Sequence, residues 1–275
     1  MDDLTIHEPS TEDIEIHELQ DEKDARIIDK VSEILIERNM LWQYDDVIES
    51  EITDFLKENK YSEERLFEVA TQRQEDSKYW TLLAFLNVRG MGIPSTNDKK
   101  AFYWYHKAAS ELNDPLGLQE TGVFYYHGKG VKINNIEANY WFKKAAEVGM
   151  GIAQHRLAIN YLKGRGIEVD HAEGFKWLLR SANAGFVEAM DSLTDLYLNG
   201  IYTKKNNRLA LFWAEKSYYE FYSRTGLYNL MHCYRKGLGT CMDMHKTIFL
   251  AVHAKRNGHD TGYRKLVKLF DTYFF

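Results

Sequence analysis

Cysteine is nearly absent from this 275-residue chain: only Cys233 and Cys241 occur. Two thiols cannot build the disulfide framework of a small secreted scaffold. Proline is almost as scarce, with three residues, so helices can run without internal breaks. No apolar run approaches the roughly 20 residues that a membrane-spanning helix needs. The opening MDDLTIHEPS has neither the basic nor the apolar region of a secretory leader. Asp2 in place of glycine excludes myristoylation, and no cysteine lies near the C-terminus for prenylation. Kinase, protease and nucleotide-binding signatures are also missing. These absences point to a cytoplasmic, non-enzymatic protein without cofactors.

What the chain does have is a period. A first loop glycine recurs at Gly90, Gly128, Gly164, Gly200 and Gly237, at spacings of 38, 36, 36 and 37 residues. Three residues before it stand Asn87, Tyr125, Tyr161, Tyr197 and Tyr234; eleven before it stand Tyr79, Gly117, Ala153, Ala189 and Gly226. Small residues in that column suit close helix approach. After each loop come Asn97, Asn134, Asp170, Asn206 and Asp243, all strong N-cap types. Seven residues later stand Trp104, Trp141, Trp177, Trp213 and Leu250. Each unit therefore reads as two short helices, each with one apolar stripe that must be buried against neighbours.

The pattern small-x3-Leu-(Gly/Ala)-x2-Tyr-x2-Gly-x-Gly, then Asp/Asn-x3-Ala-x2-Trp-x3-Ala-Ala-x3-Gly, resembles the Sel1-like repeat. Ala153, Leu157, Ala158, Tyr161, Gly164, Gly166, Asp170, Trp177, Ala182 and Gly185 match it nearly throughout. The resemblance covers about residues 77 to 275 and implies an all-α, right-handed solenoid related to tetratricopeptide repeats. It also implies a scaffold or adaptor for other proteins, in signalling or complex assembly, with no catalytic residues.

Four segments follow. Residues 1–25 carry ten Asp/Glu against one Lys. With so few apolar side chains, burial there cannot offset roughly 1–2 kcal/mol of backbone entropy per ordered residue, so residues 1–24 read as a disordered acidic tail. Residues 25–76 read as N-terminal capping helices, with stripes at Ile27, Ile28, Val31, Ile34 and Leu35 and at Val47, Ile48, Ile52, Phe55 and Leu56. Ser62 is a plausible N-cap for a third helix. Residues 77–260 hold five repeats. Residues 261–275 read as a C-terminal capping helix with Leu266, Leu269, Phe270 and Tyr273 on one stripe. Residues 223–275 carry nine Lys/Arg against three acids, so the two ends of the chain have opposite charge and are either two unrelated solvated blocks or a pair that attract.

Repeat four departs from the pattern. Tyr202 replaces the second loop glycine, which predicts a loop of different shape, because a side chain disfavours positive φ. Tyr218 falls in the column of Ala109, Ala146 and Ala182, and no glycine ends the second helix. The aromatic run from Tyr218 to Tyr222 is either a locally wider seam or an aromatic pocket between repeats four and five.

Chemical readings of individual clusters are weak. The Gly-x-Gly loops lack the Lys-Ser/Thr of a phosphate-binding loop. His232, Cys233, Cys241 and His245 do not have zinc-site spacing, and adjacent His232 and Cys233 diverge by about 100° on a helix. Asp191 and Asp195 share a helix face, expected to be solvated, with no nucleophile beside them. The constructive reading is a groove. The arc of each first helix opposite its buried columns gives Thr81, Phe85 and Arg89; Gln119, Val123 and Tyr126; His155, Ile159 and Lys163; Asp191, Asp195 and Asn199; Tyr228, His232 and Lys236. Arg264 and Lys268 continue it. Stacked, these arcs predict a concave surface with an apolar strip at Phe85, Val123 and Ile159 and a basic end, suited to a peptide or helix of another protein. The alternative partner is an acidic macromolecule, an acidic protein segment or nucleic acid, held at the basic end; the overall charge of −6 weighs against nucleic acid.

Overall fold

The computed structural model describes residues 11–40 and 45–256. Among them there are thirteen α-helices and no strand. They fall into two compact units that divide between Trp141 and Phe142.

The first unit begins with α1 (Thr11–Met40), α2 (Asp45–Glu58) and α3 (Glu63–Gln72). Their buried faces are the sequence stripes: Ile27, Ile28, Val31 and Leu35 on α1; Ile48, Ile52 and Leu56 on α2; Leu66, Val69 and Ala70 on α3. Ser62 caps α3, its hydroxyl accepting from the Arg65 N–H at 3.1 Å. The expected disordered tail is corrected over residues 11–24, while residues 1–10 lie outside the described residues. The helix begins at Thr11, fourteen residues before the expected start, and Asp24 is 1 % exposed. A composition argument assumes solvated charge, but Asp24 is answered by side chains distant in sequence. It accepts from the Tyr61 hydroxyl at 2.7 Å, the Arg65 guanidinium at 2.5 Å and the Gln20 amide at 2.8 Å.

Repeat one, α4 (Trp80–Arg89) and α5 (Asp98–Leu112), shares one core with these helices, and α6 (Pro115–His127) follows. The Tyr79 hydroxyl donates to Asp29 of α1 at 2.7 Å, and Arg89 bonds Asp46 at 2.7 Å and Glu49 of α2 at 2.5 Å. Helix α7 (Asn135–Glu147) carries the boundary between the units.

The second unit continues with three helix pairs: α8 (Gly151–Lys163) with α9 (His171–Asn183), α10 (Val187–Asn199) with α11 (Asn207–Phe221), and α12 (Arg224–Lys236) with α13 (Met244–Arg256). The repeating loop is a backbone device. The N–H of each N-cap, Asn97, Asn134, Asp170, Asn206 and Asp243, donates to the carbonyl of Asn87, Tyr125, Tyr161, Tyr197 and Tyr234 respectively, at 2.8–3.1 Å. Each N-cap side chain accepts from the first turn of the helix that follows. The loop glycine ahead of it is left-handed in every copy, with φ between 64° and 73°.

Repeat four corrects the expected change of loop shape. Tyr202 itself adopts φ 58°, beside the 63–79° of its glycine counterparts, and the backbone bond from Asn206 to Tyr197 is kept. A left-handed residue with a Cβ costs about 1–2 kcal/mol, and the Tyr202 ring offsets it by stacking on His171 at 4.3 Å. The missing helix-ending glycine is replaced by Tyr222 at φ 54°, so α11 runs 15 residues against 13 in α9. Tyr218 turns inward, 7 % exposed, and its hydroxyl meets His253 Nδ1 of α13 at 2.8 Å. The ring belongs to one core cluster with Leu227, Leu230, Leu250 and Ala254.

Candidate functional site

In the first unit the expected groove residues do not form an open surface. Phe85 is 2 % exposed and belongs to the core, which removes it from the apolar strip. The helical wheel placed it opposite α5, and that side of α4 is taken by the N-terminal helices. Thr81 and Gln119 are buried as well, and the Gln119 amide donates to Glu120 at 3.1 Å. Arg89 is held by α2. Val123 and Tyr126 remain half-buried on α6.

The second unit keeps more of the surface open. Its first helices, α8, α10 and α12, are tied to their neighbours by polar groups at the expected positions. His155 lies 3.4 Å from the Ser192 hydroxyl and 5.3 Å, ring to ring, from Phe186. Burial, with the Arg156 charge adding to it, pulls the His155 imidazole down to about 4, so it is neutral at pH 7. Asp191 corrects the expectation of a solvated pair. It accepts from Ser217 at 2.6 Å and from Ser223, the N-cap of α12, at 2.8 Å. Burial raises its pKa, the two serine hydroxyls oppose that, and the charges of Glu188 and Asp195 add to the rise. Ser217 reaches the carboxylate from within α11, and the short turn after Tyr222 brings Ser223 to the same group. Lys163 on α8, Asp195 on α10, and His232 and Lys236 on α12 are exposed; Ile159 is half-buried, and Tyr228 is half-buried against the core cluster that holds Leu227 and Leu230. Arg264 and Lys268 lie outside the described residues.

Cys233 is buried, its thiol pushed up to about 11, whereas Cys241 is exposed. Among the described residues no three or more His, Cys, Asp or Glu side chains gather into a possible metal site. None of the described helices is long and apolar enough to cross a membrane.

One surface column escaped the sequence reading. The residue six after each N-cap is Tyr103, Tyr140, Lys176, Phe212 or Phe249. The four rings are 51–68 % exposed. Tyr103, Tyr140 and Phe212 each lie edge-on to the tryptophan that follows, at 4.9–5.1 Å. The signal was in the sequence as Tyr-Trp, Tyr-Trp and Phe-Trp pairs, hidden by attention to the buried partner.

The model of the Sel1 repeat matches residues 81–111, 116–150, 151–186 and 187–220. The α12–α13 pair lies beyond these matches but keeps the same loop and cap. No curated protein matches the sequence. Among solved structures, a Sel1 repeat protein from Oxalobacter formigenes is similar with a TM-score of 0.65 and 24% identity, over 75% of this chain and 82% of that one. The protein c5321, described as a protective antigen in uropathogenic Escherichia coli strains displaying an SLR fold, is similar with a TM-score of 0.72 and 22% identity. That likeness covers 89% of this chain and 52% of c5321, so the chain spans about half of it. At these identities the neighbours establish the fold. Repeats of this kind generally serve as scaffolds that mediate protein–protein interaction. Four matched repeats, closed by one recurring loop and seated on an all-α fold shared with these structures, place the chain in the Sel1-repeat family.

Proposed function

We propose that this chain is a non-enzymatic adaptor whose second unit binds a peptide or helix of a partner protein along α8, α10 and α12. The observation that supports it is the contrast within that layer. His155 and Asp191 are used to join helices, while Lys163, Asp195, His232 and Lys236 stand exposed four or eight residues further along the register, with Ile159 and Tyr228 half-buried beside them. Apolar, aromatic and charged groups on rigid neighbouring helices suit an amphipathic partner segment, with Lys163 and Lys236 meeting its acids and Asp195 its bases. The test is a variant carrying Ile159→Ser, Tyr228→Ser and Lys236→Glu. It is expected to keep its helical content and lose the captured partner; capture at the wild-type level would overturn the reading.

The exposed rings favour a second surface in the same unit. Phe212 and Phe249 stand at one register on α11 and α13, where α9 has Lys176. Phe212→Ser with Phe249→Ser is the matching variant. Loss of capture here, with the first variant still active, would move the partner to the second helices.

A further inference from the structure

Beside its buried stripe of Ile48, Ile52 and Leu56, α2 carries a second one. Val47, Ser50, Glu51, Asp54, Phe55 and Glu58 recur at helical spacing along its neighbouring side. Helix α2 runs back along α1: Arg38 bonds Glu51, and Tyr61, just past α2, reaches Asp24. Between the two helices lies an open groove of about 820 Å³, walled by this second stripe. From Val47 to Glu58 it extends over roughly 17 Å, about three turns of helix. Ile34 and the half-buried Phe55 make an apolar floor that rests on the core of the first unit. Val47 adds an apolar wall that is 48 % exposed.

The rim has carboxylates to spare. Its two cations are committed: Arg38 donates twice to Glu51, at 2.6 and 2.7 Å, and Lys30 pairs with Glu33 at 2.9 Å. Asp46 and Glu49 are taken by Arg89 of α4. Asp54 meets Lys57 at 3.7 Å, an exposed contact that water screens. Glu37, Asp54 and Glu58 therefore set the field of the groove. Among the described residues no three such side chains gather tightly enough to hold a metal ion. Carboxylates spread along an apolar trough suit a helix that carries Lys or Arg on either side of an apolar stripe. The same charge repels phosphate, so nucleic acid and anionic lipid do not fit.

We propose that the α1–α2 groove is a second docking site, for a basic amphipathic helix of a partner protein. Apolar side chains of that helix enter between Ile34, Val47 and Phe55, and its cations meet Glu37, Asp54 and Glu58. The site is independent of the layer formed by α8, α10 and α12, where Lys163 and Lys236 meet acids. Each unit thereby selects a segment of opposite charge.

The test uses the full chain and a fluorescent Leu/Lys amphipathic peptide of about 14 residues, read by anisotropy at low salt. The Leu/Lys peptide is expected to bind and its Leu/Glu counterpart is not. Asp54→Lys with Glu58→Lys should weaken binding by roughly tenfold or more. Val47→Ser, at an exposed position that folding does not need, should weaken it by roughly threefold. Glu75→Lys with Glu111→Lys makes the same change of charge at exposed positions outside the groove, and its effect should stay below about threefold. A photo-crosslinker at Ser50 should trap the Leu/Lys peptide. No binding of that peptide, equal binding of both peptides, or equal weakening by the two charge pairs overturns the site. Sedimentation of the free chain covers the other occupant: a dimer that dissociates on Asp54→Lys with Glu58→Lys would give the groove to a second copy and overturn the proposal.

Discussion

Each unit anchors a helix with an aspartate, and the two aspartates respond to pH in opposite directions. In the first unit, burial would raise the pKa of Asp24, but hydrogen bonds from Tyr61, Arg65 and Gln20 and the Arg65 charge outweigh it and hold it below the ordinary value of 3.8. In the second, Asp191 has hydroxyls for partners, and burial prevails, so its pKa rises. The difference teaches what a buried carboxylate needs. Three donors, led by the Tyr61 hydroxyl and including the charged Arg65, outweigh desolvation at Asp24, whereas two serine hydroxyls beside further acids do not at Asp191. The signs follow from linkage. Asp24 contributes stability above pH 3.8 that is lost as pH falls through its lowered pKa. Asp191 is easier to protonate folded than unfolded, so its contribution weakens as pH rises from 3.8 through its raised value.

The largest expected effect tests whether the repeat seams, which the first unit's capping helices lack, dominate the second unit. Trp177 is 5 % exposed, and Trp177→Ala should destabilise by about 3–5 kcal/mol. A thermal melt within a degree of wild type would show that the seam column is not the core of that unit. Next in size is the imidazole of the second unit. With its pKa lowered from 6.5 to about 4, His155 is neutral in the fold, so stability is lost as pH falls from 6.5 towards 4, on the order of 3 kcal/mol at the acid limit. His155→Gln should flatten denaturant midpoints across that window, and an unchanged slope would place the imidazole in water.

The aspartates themselves sharpen the comparison. Asp24→Asn leaves Arg65 and Tyr61 short of an acceptor and should cost about 1–3 kcal/mol at pH 7. Asp191→Asn keeps an oxygen for the serines and removes an unfavourable charge, so its effect should stay within ~1 kcal/mol. Equal losses in urea titrations would erase the distinction between the units. The smallest effect concerns the loop of repeat four. Tyr202→Gly relieves a left-handed side chain but gives up the stack on His171, for a net change within ~1 kcal/mol. A loss above that would mean that the stack outweighs the backbone strain.

The repeat was legible because its determinants are local and recur. N-cap oxygens, left-handed loop glycines and a tryptophan seven residues on can each be found by counting. Partners distant in sequence could not be counted. Asp24 reads as part of a solvated acidic run until Tyr61 and Arg65 arrive from 37 and 41 residues away. Phe85 sits on the exposed arc of an isolated hairpin and is buried because α1 to α3 cover α4. Asp191 looks like a surface acid until α11 brings Ser217 to it and the turn at Tyr222 adds Ser223. The groove was therefore least legible where helices outside the repeat, or an irregular turn inside it, add a neighbour that periodicity does not encode.

The proposed binding layer is tested most directly by photo-crosslinking from single positions of the second unit. A crosslinker at Ile159 or at His232 should trap the same partner protein, and one at Lys176, on the outer side of α9, should trap none. Adducts from Lys176 with none from Ile159 and His232 would contradict the assignment of the layer formed by α8, α10 and α12.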